Sequence, residues 1–281
     1  MPEAENDNSS IQTGYALSRN YAAAARLNLQ HYCFRDLLGY NIHPQIPVDP
    51  KDKNLSIADI GTGTGNWLTH VHRELPHARL DGFDSSLEQF PPKGWWPPNV
   101  TLEYLDALKP IPQELHGKYD IVHVRLFLFV IQNGDPRPLL DNAMHMLKPG
   151  GHLQWVEHDP ETVHVEALHP EEKRSANEEI VRSVNLLRSC GWVSELPAHF
   201  ENAGYISITH STHSVPPELR MCFTHINLLA GEEVSYVAND NSGPESKGLK
   251  HRALLKEAFE ETKKGVCMVW SPVVVLGKKN K

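Results

Sequence analysis

The chain has 281 residues, 40% of them apolar and 22% charged, with 35 acidic against 27 basic side chains and a formal net charge of −8. That length suits one elaborated domain or two small ones, with an ample core. The acidity argues against the basic stripe of a nucleic-acid-binding surface, and no run approaches the ~20 apolar residues of a membrane span. Neither nucleic acid nor membrane is expected as a partner.

Residues 1–14, rich in Asn, Ser and Glu, are predicted to be a disordered tail. The segment from Met1 to Asn8 is acidic and polar, unlike a signal or transit peptide. Four cysteines, Cys33, Cys190, Cys222 and Cys267, lack C-x-x-C spacing. Reduced thiols and a cytoplasmic location are the simplest expectation. Residues 15–50 are expected to form a helical cap, with a helix to Leu38 and then a proline-containing connector.

A single domain over 51–281 is predicted to follow, beginning with a strand at 55–60, a helix at 66–75 and a strand at 79–83 that ends in Asp84-Ser85-Ser86. A strand at 100–105 ends in Asp106-Ala107, and another covers 119–124. Leu126 to Ile131 reads as strand-sized or a piece of buried helix. A helix at 135–147 leads through Lys148-Pro149-Gly150-Gly151 into a strand at 152–156. Helical sequence runs from 167 to about 202, a strand covers 204–214, and 217–264 holds two helices with a polar break at 239–247. A valine-rich strand over 266–276 comes last. Strands and helices alternate, and the strands are almost continuously apolar. This implies an α/β fold with a parallel sheet covered on both faces. Ligands in such sheets sit beyond the carboxyl ends of the strands. The 17 histidines do not organise into a metal site: His70 and His72, two apart on a helix, face different ways.

The densest signal is Ile57-Ala58-Asp59-Ile60-Gly61-Thr62-Gly63-Thr64-Gly65, a strand breaking into a glycine turn before a helix. Without a Cβ, such a loop can close around a ligand, and its amides form a polar cradle. The dinucleotide pattern G-x-G-x-x-G needs its last glycine at the position that Asn66 holds. Asp84, 19 residues beyond Gly65, can accept both ribose hydroxyls, or can simply cap a helix. Asp106 can accept an adenine amino group with Leu105 and Ala107 along the ring, or can be a turn residue.

Asp-x-Gly-x-Gly-x-Gly resembles motif I of the class I S-adenosylmethionine (SAM) methyltransferases, and Lys148-Pro149-Gly150-Gly151-His152-Leu153 is similar to the turn before their fifth strand. Ser18-Arg19-Asn20-Tyr21, Arg26-Leu27-Asn28-Leu29-Gln30-His31, Asp81-Gly82-Phe83-Asp84, Gln89-Phe90-Pro91-Pro92 and His123-Val124-Arg125-Leu126 resemble a set of fungal methyltransferases often tied to secondary metabolism. The resemblance implies a Rossmann-like sheet of order 3-2-1-4-5-7-6 with strand seven antiparallel. The helices at 217–264 would then be an insertion over the substrate. It also implies SAM as cofactor, S-adenosylhomocysteine as product, and an O or N atom of a small molecule as methyl acceptor. Asp59, Gly61, Thr62, Gly63 and Gly65 would form the cofactor loop. Asp84, Ser85, Leu105, Asp106 and Ala107 would hold the nucleoside. Tyr21, Arg26, Val124 and Arg125 would lie at the methionine end.

Candidates for a general base are Glu157 and His158, after strand five, and His31, on the covering helix; a histidine titrates near the required pH. The alternatives are a SAM-binding protein that does not methylate, either pericyclase-like or regulatory, and a dinucleotide oxidoreductase that Asn66 disfavours. A homodimer or a regulatory protein partner is compatible with the sequence.

Overall fold

A computed structural model describes residues 17–131, 133–186, 191–237 and 246–281. The expected 1–14 tail, Cys190 and most of the 239–247 break lie outside them. Among the described residues seven strands form one sheet: β1 (Ser56–Ile60), β2 (Arg79–Asp84), β3 (Val100–Tyr104), β4 (Tyr119–Arg125), β5 (Leu147–Ala167), β6 (Ile206–Thr212) and β7 (Val266–Lys278). Their order is β3-β2-β1-β4-β5-β7-β6. The first five run parallel, and β7 is antiparallel to both neighbours. This is the order expected.

Alternation along the strands builds a core on each face. Ala58 and Ile60 of β1 point with Val122, Val124 and Trp155 toward α3 (Arg137–Met146), where Leu139, Leu140 and Ala143 are fully buried. Ile57, Leu80 and Ile121 point the other way. They meet Trp67, Leu68 and Val71 of α2 (Asn66–Glu74) and Phe34 of α1 (Tyr21–Leu38). Asn20 caps α1 by accepting from the Ala23 amide at 3.0 Å, and Gly39 ends it in the left-handed conformation.

The main departure from expectation is β5. It runs 21 residues, not five, and pairs with β7 in antiparallel register from His152↔Lys278 to Ala167↔Val266, with a shift between Asp159 and His164. Glu157 and His158 therefore sit inside a strand instead of following one. Leu126 to Ile131 is neither strand nor helix. The chain turns there, Leu126 at φ 60°, because the Leu126 amide donates to the Val156 carbonyl and the Phe127 amide to Glu157.

Beyond the sheet's carboxyl edge, α4 (Ser175–Leu186), α6 (Pro217–Val237) and α7 (Lys247–Thr262) pack against this ribbon, while α5 (Leu196–Asn202) precedes β6. Ala176, Ile180, Leu228, Leu255, Ala258 and Met268 make a third, smaller core. Buried Glu261 of α7 accepts from the Ala176 and Asn177 amides, each at 3.0 Å, and so caps the start of α4. Arg26 of α1 reaches Glu233 of α6 at 2.6 and 3.2 Å, both nearly inaccessible to solvent. The sulfurs of Cys33 and Cys222 meet between the same two helices, from positions 189 residues apart that no local spacing connects.

Candidate active site

The strand ends open into a cavity of about 910 Å³, within the range of small-molecule and cofactor pockets. At one end lies the glycine turn, with Gly61, Gly63 and Gly65 at φ 71°, 56° and 72°. A Cβ on Gly61 would stand 2.5 Å from the Phe127 ring, and one on Gly63 would stand 3.1 Å from Leu27. The turn therefore needs glycine for both its backbone and its packing. Phe83 O accepts from the Gly61 and Thr62 amides at 2.7 and 3.0 Å. Asp84 accepts from the Gly63 amide at 2.9 Å and from Ser86 at 3.1 Å. Burial pushes the Asp84 carboxyl up, against the pull of those two amides.

Asp59, Asp84 and Asp106 all line this end. Asp106 is held in a turn, accepting from the Leu108 amide at 3.2 Å and pairing with Lys109 at 3.0 Å. Buried His123 lies 2.7 Å from Asp59 and stacks on Trp67 at 3.9 Å with the rings 3° apart. Burial lowers the His123 pKa despite that carboxylate, so the ring is neutral and donates from Nδ1. Three carboxylates around the loop would repel a pyrophosphate and suit a nucleoside with a cationic tail. Thr62 Oγ1 and Gln89 Nε2, both on the wall, are buried with no partner among the described residues. The glycine cradle, the carboxylates and these unmatched atoms fit SAM: a ribose at Asp84, an adenine between Leu105 and Ala107, and cationic groups toward Asp59.

Further in, His31 Nε2 meets His70 Nδ1 at 2.5 Å and His31 Nδ1 meets an Arg125 nitrogen at 3.3 Å. Arg125 can only donate, which assigns His31 Nδ1 as acceptor and Nε2–H as donor. Burial, then Arg125, drives the His31 pKa down to about 2. Both of its ring nitrogens are engaged. Glu157 is fully buried. It accepts from the Phe127 amide at 2.7 Å, the His158 amide at 3.1 Å and Trp155 Nε1 at 3.3 Å. Burial outweighs those donors and raises its carboxyl to about 7.

His158 stands in an aromatic box, 5.1 Å from Phe34, 6.0 Å from Phe223 and 4.9 Å from Trp270 between ring centroids. Burial takes its pKa down to about 3, so the ring is neutral.

Of the residues singled out in the sequence, Asp59, Gly61, Thr62, Gly63, Asp84, Ser85, Leu105, Asp106, Ala107, Arg125, Glu157, His158 and His31 all line this one cavity. Three do not. Tyr21 is 90% exposed at the first turn of α1. Gly65 packs beneath the loop against Leu102 and caps α2. Val124 alternates into the core, between Ile60 and Trp155. Arg26, a further candidate on α1, is committed to Glu233. Sequence reasoning missed Trp67 and His123, and on the far wall Asn227 and Trp270. The available signal was a polar Asn227 on the apolar face that Phe223 and Ile226 occupy, and a lone tryptophan in a valine-rich strand.

A family model described as a methyltransferase domain matches residues 29–228. The chain is 37% identical to methyltransferase grgD of a Penicillium species over 156 residues, 53% of each chain. It is 35% identical to N-methyltransferase verN of Clonostachys rogersoniana over 144 residues, 51% of this chain and 50% of that one. It is 34% identical to N-methyltransferase tcpN of Claviceps purpurea over 151 residues, 53% and 52%. The chain spans about half the length of these curated relatives.

Proposed function

This chain belongs to the methyltransferase domain family, and on that premise we propose that it is a SAM-dependent methyltransferase. Its acceptor is a nitrogen or oxygen of a small secondary-metabolite molecule, with nitrogen preferred. The observation that carries the reading is a single cavity running from the glycine turn and its carboxylates to the aromatic box around His158. The N-methyltransferase activity named for two relatives supports nitrogen.

When bound, SAM supplies a methyl group already activated on a sulfonium, so alignment of the acceptor accounts for much of the acceleration. Asp84 and Asp106 hold the nucleoside, and Asp59 faces its positive end. Arg125, half-buried and lowered by burial only to about 10, keeps its charge at neutral pH and is placed for a carboxylate. Neutral His158 accepts a hydrogen bond from the acceptor and turns its lone pair inward. Glu157, near neutrality in its titration, holds the departing proton. His31 positions Arg125 instead of acting as a base.

The test is calorimetric titration with SAM and with NAD, followed by mass spectrometry of phenolic, indolic and amine-bearing acceptors. SAM binding without NAD binding, with a mass gain of one methyl, is the expected result. Absence of SAM binding would overturn the reading. A transformed but unmethylated product would move it to non-methylating chemistry.

A further inference from the structure

Beyond Glu157 the cavity lining carries three buried hydrogen-bonding atoms without partners among the described residues: Trp270 Nε1, Asn227 Nδ2 and His158 Nδ1. Such groups are normally paired, because an unpaired one forfeits about 1–3 kcal/mol. Three lining one cavity therefore mark a place built to be completed by a ligand. Trp270 and His158 are each 7% exposed. They come from β7 and β5, and Asn227 comes from α6, one turn beyond Phe223 and on the same face. The Met268 amide donates to Thr224 Oγ1 at 3.0 Å, which fixes α6 against β7 and with it the separation of these groups.

The chemistry of the three atoms is specific. An indole nitrogen can only donate, and so can an amide nitrogen. Trp270 and Asn227 therefore need an acceptor atom on the ligand. His158 Nδ1, in the tautomer that carries its proton on Nε2, accepts a ligand N–H or O–H. Of the formal charges nearby, Arg26 is matched by Glu233 and Arg125 is the group placed for the cofactor's carboxylate, while the three unpartnered atoms carry no charge. A charged ligand would be desolvated here with no counter-charge left for it. Trp270 lines the lobe with Ile226 and Met268, so an indole ring offers a flat body one aromatic wall.

We propose that this lobe is the subsite for a neutral, ring-shaped acceptor bearing a carbonyl oxygen, which accepts from Trp270 and Asn227 while the ring's N–H or O–H donates to His158. The assignment rests on the methyltransferase reading for the molecule's role as methyl acceptor, but its binding is measured separately.

Three probes share one bicycle: oxindole, a neutral lactam; indole, without the carbonyl; and indole-2-carboxylate, an anion. Titrated into the full chain, oxindole should bind roughly tenfold more tightly than indole, the worth of one well-made buried hydrogen bond. Trp270→Phe, which keeps a ring and removes the N–H, should erase most of that ratio and leave indole unchanged. Equal affinities in the unmodified protein, tighter binding of the carboxylate, no lactam binding, or equal weakening of both neutral probes by W270F would each overturn the proposal. The unmodified protein decides the matter even where the variant folds poorly. Calorimetry with S-adenosylhomocysteine on the same sample separates the two readings. Lactam preference without nucleoside binding would sink the methyltransferase reading and leave the subsite. Nucleoside binding without lactam preference would do the reverse.

Discussion

Gly61→Ala isolates how much of the cofactor cradle depends on a missing side chain, because the protein contains a matched control. Gly39 and Gly61 have nearly the same left-handed backbone, φ 75° and 71°. A Cβ at Gly39 meets nothing within 4 Å, whereas one at Gly61 stands 2.5 and 2.8 Å from two ring carbons of Phe127. The backbone penalty, about 1–2 kcal/mol for an L-residue in that region, is common to both. Only Gly61→Ala adds overpacking, about 1–3 kcal/mol, because Phe127 is held in the core at 5% exposure and by its own amide on Glu157. G39A should therefore destabilise by about 1–2 kcal/mol and G61A by about 2–5 kcal/mol, read from urea melts. G61A should also lose most S-adenosylhomocysteine affinity, and G39A should retain it. Phe127→Leu makes room, so the G61A/F127L double variant should be more stable than the sum of the single losses predicts. Equal losses for G39A and G61A, or strict additivity in the cycle, would refute the assignment of Phe127 as the atom group that requires glycine.

Asp84→Asn keeps an oxygen for the Gly63 amide but removes the charge. The loop should stay folded while SAM affinity falls roughly 10- to 100-fold, as for a lost charged hydrogen bond; unchanged calorimetric affinity would dismiss the ribose assignment. Burial raises Glu157 from 4.5 to about 7, so the folded state binds the extra proton between those values. Stability from this group is complete below about 4.5 and is lost as pH rises through 7, by about 3 kcal/mol. Glu157→Gln should flatten that slope in urea melts taken across the window, and an unchanged slope would point to another group. Arg26→Met strands the Glu233 carboxylate, nearly inaccessible in its pair, and should cost about 3–5 kcal/mol. Adding Glu233→Leu should recover most of it, and a loss below about 1 kcal/mol would mean that water reaches the pair.

The strand order and the cofactor end were legible because their chemistry is local. A glycine turn, an aspartate at the end of β2 and another after β3 each announce themselves within a few residues. The far wall was not legible, because its members come from distant elements and mean something only together. His158, Asn227 and Trp270 lie on β5, α6 and β7, and none belongs to a short motif. Pro160 concealed the length of β5. Proline ordinarily ends a strand, but here it falls at the register shift between Asp159 and His164, where the ladder with β7 is interrupted. Arg26 was read as a group free to face a ligand, yet it has a buried partner far along the chain, Glu233. A lone sequence shows a charge and not what neutralises it.

The small third core has a bearing on how such a protein can diversify. Ile180, Leu228, Leu255, Ala258 and Met268 cohere with one another, and Glu261 ties α7 to α4 through that helix's first amides. These helices beyond the sheet's carboxyl edge thus carry much of their own cohesion. A lineage can trade residues there while the sheet beneath keeps its two separate cores. The two parts can therefore drift at different rates within one chain.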